Sequence, residues 1–357
     1  MYLLEHDAKT LAATFDIPAP PGVLFGAPLP PGPWVVKGQV AAGGRGKAGA
    51  IRTAADQASV EREAAAIRAM TVRGQAVQAV RVEQHAGSVQ EAYAALLLDA
   101  AADGVRVLMA GQGGVDIENQ AGLRAETARL DDVPDAVRRV GAGLPPALTA
   151  AGLRMAAMFR ACEAMLLEIN PLFIRPDGSW LAGDMKLITD DNALYRQPAL
   201  RALLAANAAH YPEVQLKLEH GFDYVVVDPE GDIGLVTTGA GLSMMLIDEL
   251  RARGLRPYNF LDVRTGGMRG DPTRLIRVLE WIAAGPRIRI VLVNIFAGIT
   301  HLGEFAKLLL QARAAVPQLA VPFVVRLVGT AFEEAEAVLG AAGIAVTTDL
   351  EQAVGLL

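Results

Sequence analysis

Hydrophobic and polar positions follow two different patterns along this chain, and the change falls near residue 222. Upstream, residues 1–16 show a helical period and are followed by a Pro- and Gly-rich stretch, which must be extended or turning. Short apolar runs then predict strands at 34–36, 77–82, 92–98 and 105–110. Residues 123–165 are rich in Ala, Leu and Arg and predict helices, with a break at Leu144-Pro145-Pro146.

A β-hairpin is expected near the end of this upstream part. Residues 165–174 and 180–186 form two apolar runs, and Pro176-Asp177-Gly178 between them has the composition of a tight turn. Residues 190–220 are polar and mixed, which is typical of a helix and a linker.

Beyond residue 222, strand-like runs alternate with amphipathic helices. The expected strands are at 233–237, 259–263, 288–295, 321–327 and 345–347. Buried apolar strands that alternate with helices indicate a doubly wound parallel sheet. The chain is therefore predicted to be an α/β protein with two domains, at 1–220 and 221–357.

Composition narrows the functional classes. Hydrophobic residues make up 52% of the 357 residues and the net charge is −6, which indicates an ordered globular protein and argues against a nucleic-acid binder. A single cysteine, Cys162, permits no intramolecular disulfide. The charged N-terminus does not resemble a signal peptide, and no apolar run is long enough to cross a membrane. We therefore expect a cytoplasmic protein.

The densest local signal is a lysine at a strand end followed by a glycine-rich loop. Lys37 closes the run at 34–36, and Gly43-Gly44-Arg45-Gly46-Lys47 follows shortly after. Glycines let backbone N–H groups approach an anion, and Lys or Arg supplies positive charge. The spacing is not that of a Walker A loop. The segment predicts a polyphosphate site, although a solvated turn would look the same in isolation.

Carboxylates and amides form the second signal. Glu83 follows the run at 77–82, and Glu91 lies shortly beyond it. Asn170 and Asp184 fall on opposite sides of the expected hairpin, so their side chains can converge on one cation. Mg²⁺ prefers a few oxygen ligands together with phosphate oxygens and water, so one amide and one carboxylate suffice.

Several segments of the chain resemble the succinyl-CoA synthetase β-subunit family. The matching segments, in chain order, are V-V-K-G-Q-V-A-A-G-G-R-G-K-A-G, L-L-E-I-N-P-L, G-D-M-K-L, D-N-A-L-Y-R-Q-P, G-A-G-L-S-M, N-F-L-D-V and V-L-V-N-I-F-A-G-I. The resemblance extends over nearly the whole chain. It implies a two-subdomain ATP-grasp fold followed by a flavodoxin-like CoA-ligase domain.

The resemblance also implies roles for individual residues. Lys37 and the Gly44-Arg45-Gly46 loop would hold ATP phosphates. Glu83 is expected near the ribose or base, with Glu91 in the same cleft. The remaining assignments are Mg²⁺ binding by Asn170 and Asp184, orientation of the partner's histidine by Glu168, and a preference for ATP over GTP from Pro20.

In this family the phosphorylated histidine and the CoA site belong to a separate α-subunit. The chain's histidines are scattered and lie in no such motif, which agrees with that division of labour. The chain is therefore expected to be the β-subunit of an ADP-forming carboxylate–CoA ligase, inactive alone, in an αβ or α₂β₂ assembly.

The ligase half departs from the succinate pattern. Thr238 replaces a family asparagine, Arg264 begins the usual three-glycine segment, and Thr300-His301 follows Gly298-Ile299. Gly298, Ile299 and Thr300 precede a predicted helix, whose N-terminus suits a carboxylate. These changes favour malate, citrate or another substituted dicarboxylate, while retained succinate stays open.

Two other functions remain open. An ATP-grasp ligase without CoA would not need the loops of the second half. A non-catalytic paralogue that regulates a synthetase fits the changes at Thr238 and Arg264, but it does not explain the retained Lys37, Glu168 and Asp184.

Overall fold

A computed structural model of the chain describes residues 1–87, 89–114, 122–265, 270–298 and 300–357. Contacts between residues divide it into two units, Met1–His210 and Tyr211–Leu357. The helix Pro212–His220 belongs to the second unit. The expected domain limits at residues 220 and 221 stay a prediction.

The first unit contains two main antiparallel sheets, a two-stranded antiparallel ladder of Thr71–Val72 with Gln75–Ala76, and covering helices. The helices are α1 (Glu5–Ala13), α2 (Gln57–Arg68), α3 (Val133–Gly141), α4 (Pro146–Ala161) and α5 (Pro198–Ala206). The strands are β1 (Gly22–Leu24), β2 (Trp34–Gln39), β3 (Ile51–Ala54), β4 (Thr71–Val72), β5 (Gln75–Ala76), β6 (Ala79–Gln84), β7 (Gln90–Asp99), β8 (Gly104–Ala110), β9 (Arg124–Ala128), β10 (Ala164–Ile174), β11 (Trp180–Ala182) and β12 (Met185–Thr189). The smaller sheet has the order β1-β6-β2-β3, and the larger has the order β11-β10-β7-β8-β9 with β12 also paired to β10.

Local sequence explains how several of these elements begin. Helix α2 starts at a capping box. The Asp56 carboxylate accepts a hydrogen bond from the Ser59 N–H, and the Ser59 hydroxyl oxygen accepts one from the Asp56 N–H. Helix α4 starts with Pro146, whose missing N–H is not needed there. The expected break between α3 and α4 is confirmed.

One predicted helix is wrong in part. Residues Arg124–Ala128 form strand β9, which pairs with β8 at the edge of the larger sheet. An edge strand is bonded on one side only, so it carries no continuous apolar run that would distinguish it from a polar helix start. The expected hairpin is confirmed, because β10 pairs antiparallel with β11 and β12.

The second unit contains a parallel sheet covered on both faces. Its helices are α6 (Pro212–His220), α7 (Ala240–Ala252), α8 (Thr273–Ala283), α9 (Leu302–Ala315), α10 (Phe332–Ala341) and α11 (Leu350–Gly355). Its strands are β13 (Asp223–Val226), β14 (Ile233–Thr237), β15 (Asn259–Asp262), β16 (Ile290–Ala297), β17 (Phe323–Gly329) and β18 (Val346–Thr347). Strands β14-β16-β17-β18 are parallel.

Alternate residues of β16 show that helices cover both faces of this sheet. Val291 and Val293 belong to the core with α8, α9 and α10, whereas Leu292 belongs to the core with α7 and α11. The predicted doubly wound arrangement is therefore confirmed. Strand β15 differs from the expectation, since it pairs antiparallel with β13 in a separate ladder.

Among the residues that the structure describes, no helix combines the length and the apolar character needed to cross a membrane.

Candidate functional site

The first unit contains a cavity of about 870 Å³ between its sheets and the glycine-rich loop. Its lining includes nine residues of this unit that the sequence singled out, namely Lys37, Gly44, Arg45, Gly46, Glu83, Glu91, Glu168, Asn170 and Asp184, but it does not include Pro20. These residues come from sequence positions far apart, and the structure brings them to one place.

Lys37 lies on β2 and is 5% exposed. Its Nζ is 2.5 Å from Glu83 Oε1 and 3.1 Å from Glu5 Oε1, and it donates to the Gly183 carbonyl at 2.6 Å. Burial alone lowers the pKa of a lysine, but the two carboxylates outweigh it and the pKa of Lys37 is raised. Lys37 is therefore a permanent cation at the cavity wall.

Arg45 lies in the loop after β2 and is 8% exposed. Its Nη2 is 2.5 Å from Asp184 Oδ1 and 2.8 Å from Glu5 Oε2, and its Nη1 donates to the Gly38 carbonyl at 3.0 Å. This loop is anchored by the buried ion pair of Arg45 with Glu5, although Gly44 and Gly46 are exposed. A guanidinium with several donors suits an oxyanion that approaches from the cavity.

Different physical requirements explain the individual glycines of this loop. Gly44 has a φ of +85°, a conformation that side chains other than glycine rarely adopt. At Gly43 and Gly46 a Cβ would meet no atom within 4 Å, so packing does not require glycine there. Access of an anion to the backbone is a reason that remains for these two positions.

The Glu83 side chain is buried and forms ion pairs with three cationic side chains. Besides Lys37, its Oε2 is 2.9 Å from both Lys9 Nζ and Arg81 Nε. Burial raises the pKa of a carboxylic acid, but Lys37 and Lys9 outweigh it and the pKa of Glu83 is lowered. The expected contact of Glu83 with a ribose or base stays a prediction.

Asn170 and Asp184 are neighbours through the backbone, since Asn170 N–H donates to the Asp184 carbonyl at 3.1 Å. A β-bulge between β10 and β7 falls between Ile169 and Leu172, and such bulges change the direction of side chains. The Asn170 amide exchanges two hydrogen bonds of 3.1 Å with the backbone of Gly114. Asp184 accepts from Arg45 and from the Met185 N–H.

This pair has the donor atoms that Mg²⁺ prefers, a carboxylate and an amide oxygen. Within the described parts of the chain, no group of three or more His, Cys, Asp or Glu side chains could hold a metal ion. A magnesium site here would need further oxygen ligands, which the phosphates of a nucleotide and water supply.

Glu168 and Glu91 occupy different parts of the lining. Glu168 is half-buried on β10 and stands opposite Lys186 of β12 and Ala95 of β7. Glu91 is exposed on β7, where its carbonyl accepts from the Gly113 N–H at 2.9 Å. Both carboxylates border the cavity.

The residues expected to bind a carboxylate lie in the second unit. Thr237 of β14 is in register with Asn294 of β16, so Thr238 and Gly298 follow strands that end at the same edge of the parallel sheet. Ligands of open α/β sheets bind at this edge. The Thr300 hydroxyl is hydrogen-bonded to that of Thr265 at 2.8 Å. Ile299 lies outside the described residues.

Arg264 pairs through its side chain with Asp223 rather than with either of these threonines. Its φ is +51°, and its Nη2 donates to Asp223 Oδ2 at 3.1 Å. The ion pair of Arg264 with Asp223 is partly exposed. The expected role of Arg264 in substrate binding stays a prediction.

Sequence reasoning missed residues that surround the expected ones. Glu5, Lys9 and Arg81 are buried charges behind the cavity, and Tyr2 and Lys186 line it. Burial raises the pKa of Tyr2 to about 12, and Lys186 Nζ lies 5.4 Å from the centre of its ring. The i, i+4 spacing of Glu5 and Lys9 indicates an ion pair on a helix, but it does not show whether the pair is buried or exposed, because such pairs are common on exposed helix faces.

Comparisons with known protein families give one match in each of the two units. A family described as "ATP-grasp domain" matches residues 2–129, and one described as "CoA-ligase" matches residues 236–356. The GDP-forming succinate–CoA ligase subunit β of Thermus thermophilus is 36% identical over 366 residues, which cover 95% of this chain and 93% of that protein. The ADP-forming subunit β of Desulfurococcus amylolyticus is 34% identical over 376 residues, which cover 99% and 97%.

A solved structure is similar in fold. ATP citrate lyase from Methanothrix soehngenii, in complex with citrate and coenzyme A, superposes with a TM-score of 0.73 at 16% identity, over 99% of this chain and 98% of that chain. At this identity the likeness concerns the fold alone.

Proposed function

Since the chain belongs to the succinate–CoA ligase β-subunit family, we propose that it is the nucleotide-binding subunit of an ADP-forming carboxylate–CoA ligase. Its part of the reaction is to present the terminal phosphate of ATP to a histidine of an α-subunit. The observation that supports this most is the shared cavity, in which Lys37, Arg45, Asn170 and Asp184 all border one volume of about 870 Å³.

Lys37 and Arg45 have the chemistry that phosphoryl transfer requires. The reaction depends on positioning and on neutralising charge more than on covalent help from the protein. Lys37 is held by three partners and Arg45 by three, so both cations are fixed before a nucleotide arrives. Fixed donors lose little freedom on binding and can be aimed at the phosphate.

Asn170 and Asp184 would hold Mg²⁺ together with phosphate oxygens. When bound, the metal neutralises charge on the phosphates and fixes their orientation. Asp184 can serve in this way because its side chain is 26% exposed, the most accessible of the carboxylates in the ion cluster.

Glu168 is proposed to orient the histidine of the α-subunit. A carboxylate beside an imidazole accepts from one ring nitrogen and so leaves the other nitrogen to attack the phosphate. Glu168 is half-buried at the cavity border, which allows contact with a group from a partner. The CoA site and the phosphorylated histidine would both come from that partner.

The second unit is proposed to bind the carboxylate substrate at the edge where β14 and β16 end. Thr238, Gly298 and Thr300 would supply hydroxyl and backbone donors, with α9 directly following. The acid carries two or more carboxylates, and the hydroxyl groups of Thr238 and Thr300 favour one with an additional polar group, such as malate, a dicarboxylate, or citrate, a tricarboxylate. Pro20 favours ATP over GTP, although relatives of both kinds exist.

Binding and label transfer test this proposal. Calorimetry should show that the purified chain binds Mg·ATP, and with the α-subunit a radiolabelled γ-phosphate should reach the α-subunit's histidine. Lys37→Gln should lose both signals, whereas Lys307→Gln, an exposed lysine of α9, should keep both. A wild-type chain that binds no Mg·ATP would overturn the proposal and leave a regulatory role.

The substrate is identified by the same assembly. Coenzyme A-dependent release of ADP is measured with succinate, malate and citrate in turn. Turnover with none of these three acids would remove the proposed acid class.

A further inference from the structure

Glu5 is a buried carboxylate that contacts both cations of the cavity wall from behind. It lies in the first turn of α1 and is 2% exposed. Its Oε1 is 3.1 Å from Lys37 Nζ, and its Oε2 is 2.8 Å from Arg45 Nη2. The described residues that line the cavity include Lys37 and Arg45 but not Glu5. Glu5 is therefore not placed to contact a bound phosphate, and it acts through these two side chains and through its charge.

The other carboxylates of the cluster each contact one of the two cavity cations. Glu83 pairs with Lys37, and Asp184 pairs with Arg45. In the ion pairs of the described residues, Glu5 is the carboxylate that Lys37 and Arg45 share. It is thus the direct electrostatic link between a strand residue and a loop residue.

Glu5 is itself fixed in place. Lys9, one helical turn later on α1, lies 2.6 Å from the same Oε1 and donates to the Gly183 carbonyl. A carboxylate held in this way defines where its other partners sit. Two cations that face one phosphate repel each other, and a negative charge between them offsets the repulsion on the side away from the cavity.

We propose that Glu5 is a positioning residue that sets the spacing of Lys37 and Arg45 for the transferred phosphate. The inference rests on the proposed function, because it concerns the same cavity. It assigns no contact between Glu5 and the nucleotide.

Replacement of Glu5 by glutamine keeps the size of the side chain and removes its charge. Lys37 and Arg45 are then no longer held to one another, so the phosphate is less well aligned and kcat should fall about 10- to 100-fold, as for other misplacements near 1 Å. The variant also removes an anion that opposes the nucleotide. The KM for Mg·ATP should therefore change less than about threefold, since the loss lies in alignment rather than in uniform binding.

The matched control is Asp7→Asn. Asp7 lies on the same helix, is equally buried, and accepts a hydrogen bond from the Asn207 amide at 3.2 Å. Both variants neutralise a buried carboxylate of α1, so both should lower the unfolding midpoint. Only Glu5→Gln should lower kcat per folded active site, measured in the complex with the α-subunit after the folded fraction is determined by thermal melting.

Glu5→Asp provides the second variant. Its carboxylate is one methylene shorter and reaches one cation at a time, so kcat should lie between those of Glu5→Gln and the wild type. If Glu5→Gln does not fold, the comparison of Glu5→Asp with Asp7→Asn decides the question. A kcat for the Glu5 variants equal to that of Asp7→Asn would overturn the inference. A wild-type complex without Mg·ATP turnover would instead overturn the proposed function.

Discussion

Arg45 donates to Asp184 Oδ1 at 2.5 Å, so the residue proposed for phosphate and the residue proposed for metal are ion-paired with each other. Arg45 is buried, whereas the Asp184 side chain is partly exposed. We propose that, when Asp184 binds a divalent cation, Arg45 keeps its contact with Glu5 and offers the released N–H group to a phosphate. Under this proposal, metal binding and phosphate binding are coupled through the pair.

Replacement of Asp184 by alanine should reduce the contribution of Mg²⁺ to nucleotide binding. We expect ATP affinity in the presence of Mg²⁺ to fall about tenfold or more, which corresponds to about 1.4 kcal/mol. In EDTA, ATP should bind as well as or better than it does to the wild type, because Arg45 loses a competing anion. Titration calorimetry measures both affinities, with Asp177→Ala at the exposed hairpin turn as the control. An unchanged effect of Mg²⁺ would rule out the metal assignment.

Glu83→Gln should destabilise the protein in a pH-dependent manner. The pKa of Glu83 is lower in the folded chain than its ordinary value of 4.5, so the unfolded chain binds more protons as the pH falls through 4.5. The stability from Glu83 is complete above that value and is lost below it. Breaking a buried pair costs about 3–5 kcal/mol, so the variant should melt well below the wild type at pH 7.

The difference between the two melting temperatures should begin to shrink as the pH falls towards 4.5, and it should keep shrinking down to the lower pKa of Glu83 in the folded chain. Glu61→Gln, which changes an exposed carboxylate of α2, serves as the control. A gap in melting temperature that is constant over this range would contradict the assigned charge state of Glu83.

Gly183→Ala should disturb both lysines of the ion cluster. A Cβ at Gly183 would lie 2.5 Å from Phe173 Cε2 and 2.7 Å from the Pro171 carbonyl, and that backbone oxygen cannot move aside easily. The Gly183 carbonyl would shift away from Lys9 and Lys37. We expect a loss of about 1–3 kcal/mol in the free energy of unfolding, as for other overpacked sites, together with weaker ATP binding.

Denaturant titration measures this loss. Gly43→Ala is the control for stability, because an added Cβ meets no atom within 4 Å there. Equal stability of the two variants would show that the backbone at Gly183 accommodates a side chain.

Glu213→Gln should stabilise the second unit at neutral pH. Burial raises the pKa of Glu213, and a hydrogen bond from the Val226 N–H at 3.0 Å only partly offsets it. The folded chain therefore binds the proton more tightly, and stability is lost as the pH rises above 4.5. Glutamine keeps an acceptor oxygen without the charge, so we expect a gain of about 0.5–2 kcal/mol at pH 7 and less at pH 4.

Thermal melting at the two pH values tests this, with Glu219→Gln on the exposed side of the same helix as the control. A variant that is less stable than the wild type at pH 7 would mean that the Glu213 charge is favourable in the folded chain.

The cavity residues proposed to bind phosphate are predictable from the sequence because they are unusual in their local context. A lysine at the end of an apolar strand and a run of glycines around Arg45 are typical of a loop that binds an anion, and only together with the carboxylate and amide positions do they differ from a solvated turn. The hairpin was equally readable from Pro176-Asp177-Gly178, and with it the proximity of Asn170 to Asp184.

The second layer of charge was not predictable from one sequence. Glu5 and Lys9 have the spacing of an exposed helical ion pair, and only the tertiary structure buries them. Strand β9 is not predictable from the sequence, because polar edge strands carry little periodic signal. The antiparallel pairing of β15 is not predictable either, because a short apolar strand does not encode the direction of its neighbour.

The first strand-like residues of the chain are hydrogen-bonded to β12, where Leu3 N–H donates to the Leu187 carbonyl and Thr189 N–H to that of Met1. During synthesis, Glu5 and Lys9 therefore emerge from the ribosome long before the hairpin of β10 with β11 and β12, which packs beside them, has been translated. Nascent chains that end upstream of β12 keep these charges in water and leave the sheet edge beside them unfinished. Such chains should remain susceptible to proteases until translation passes the hairpin.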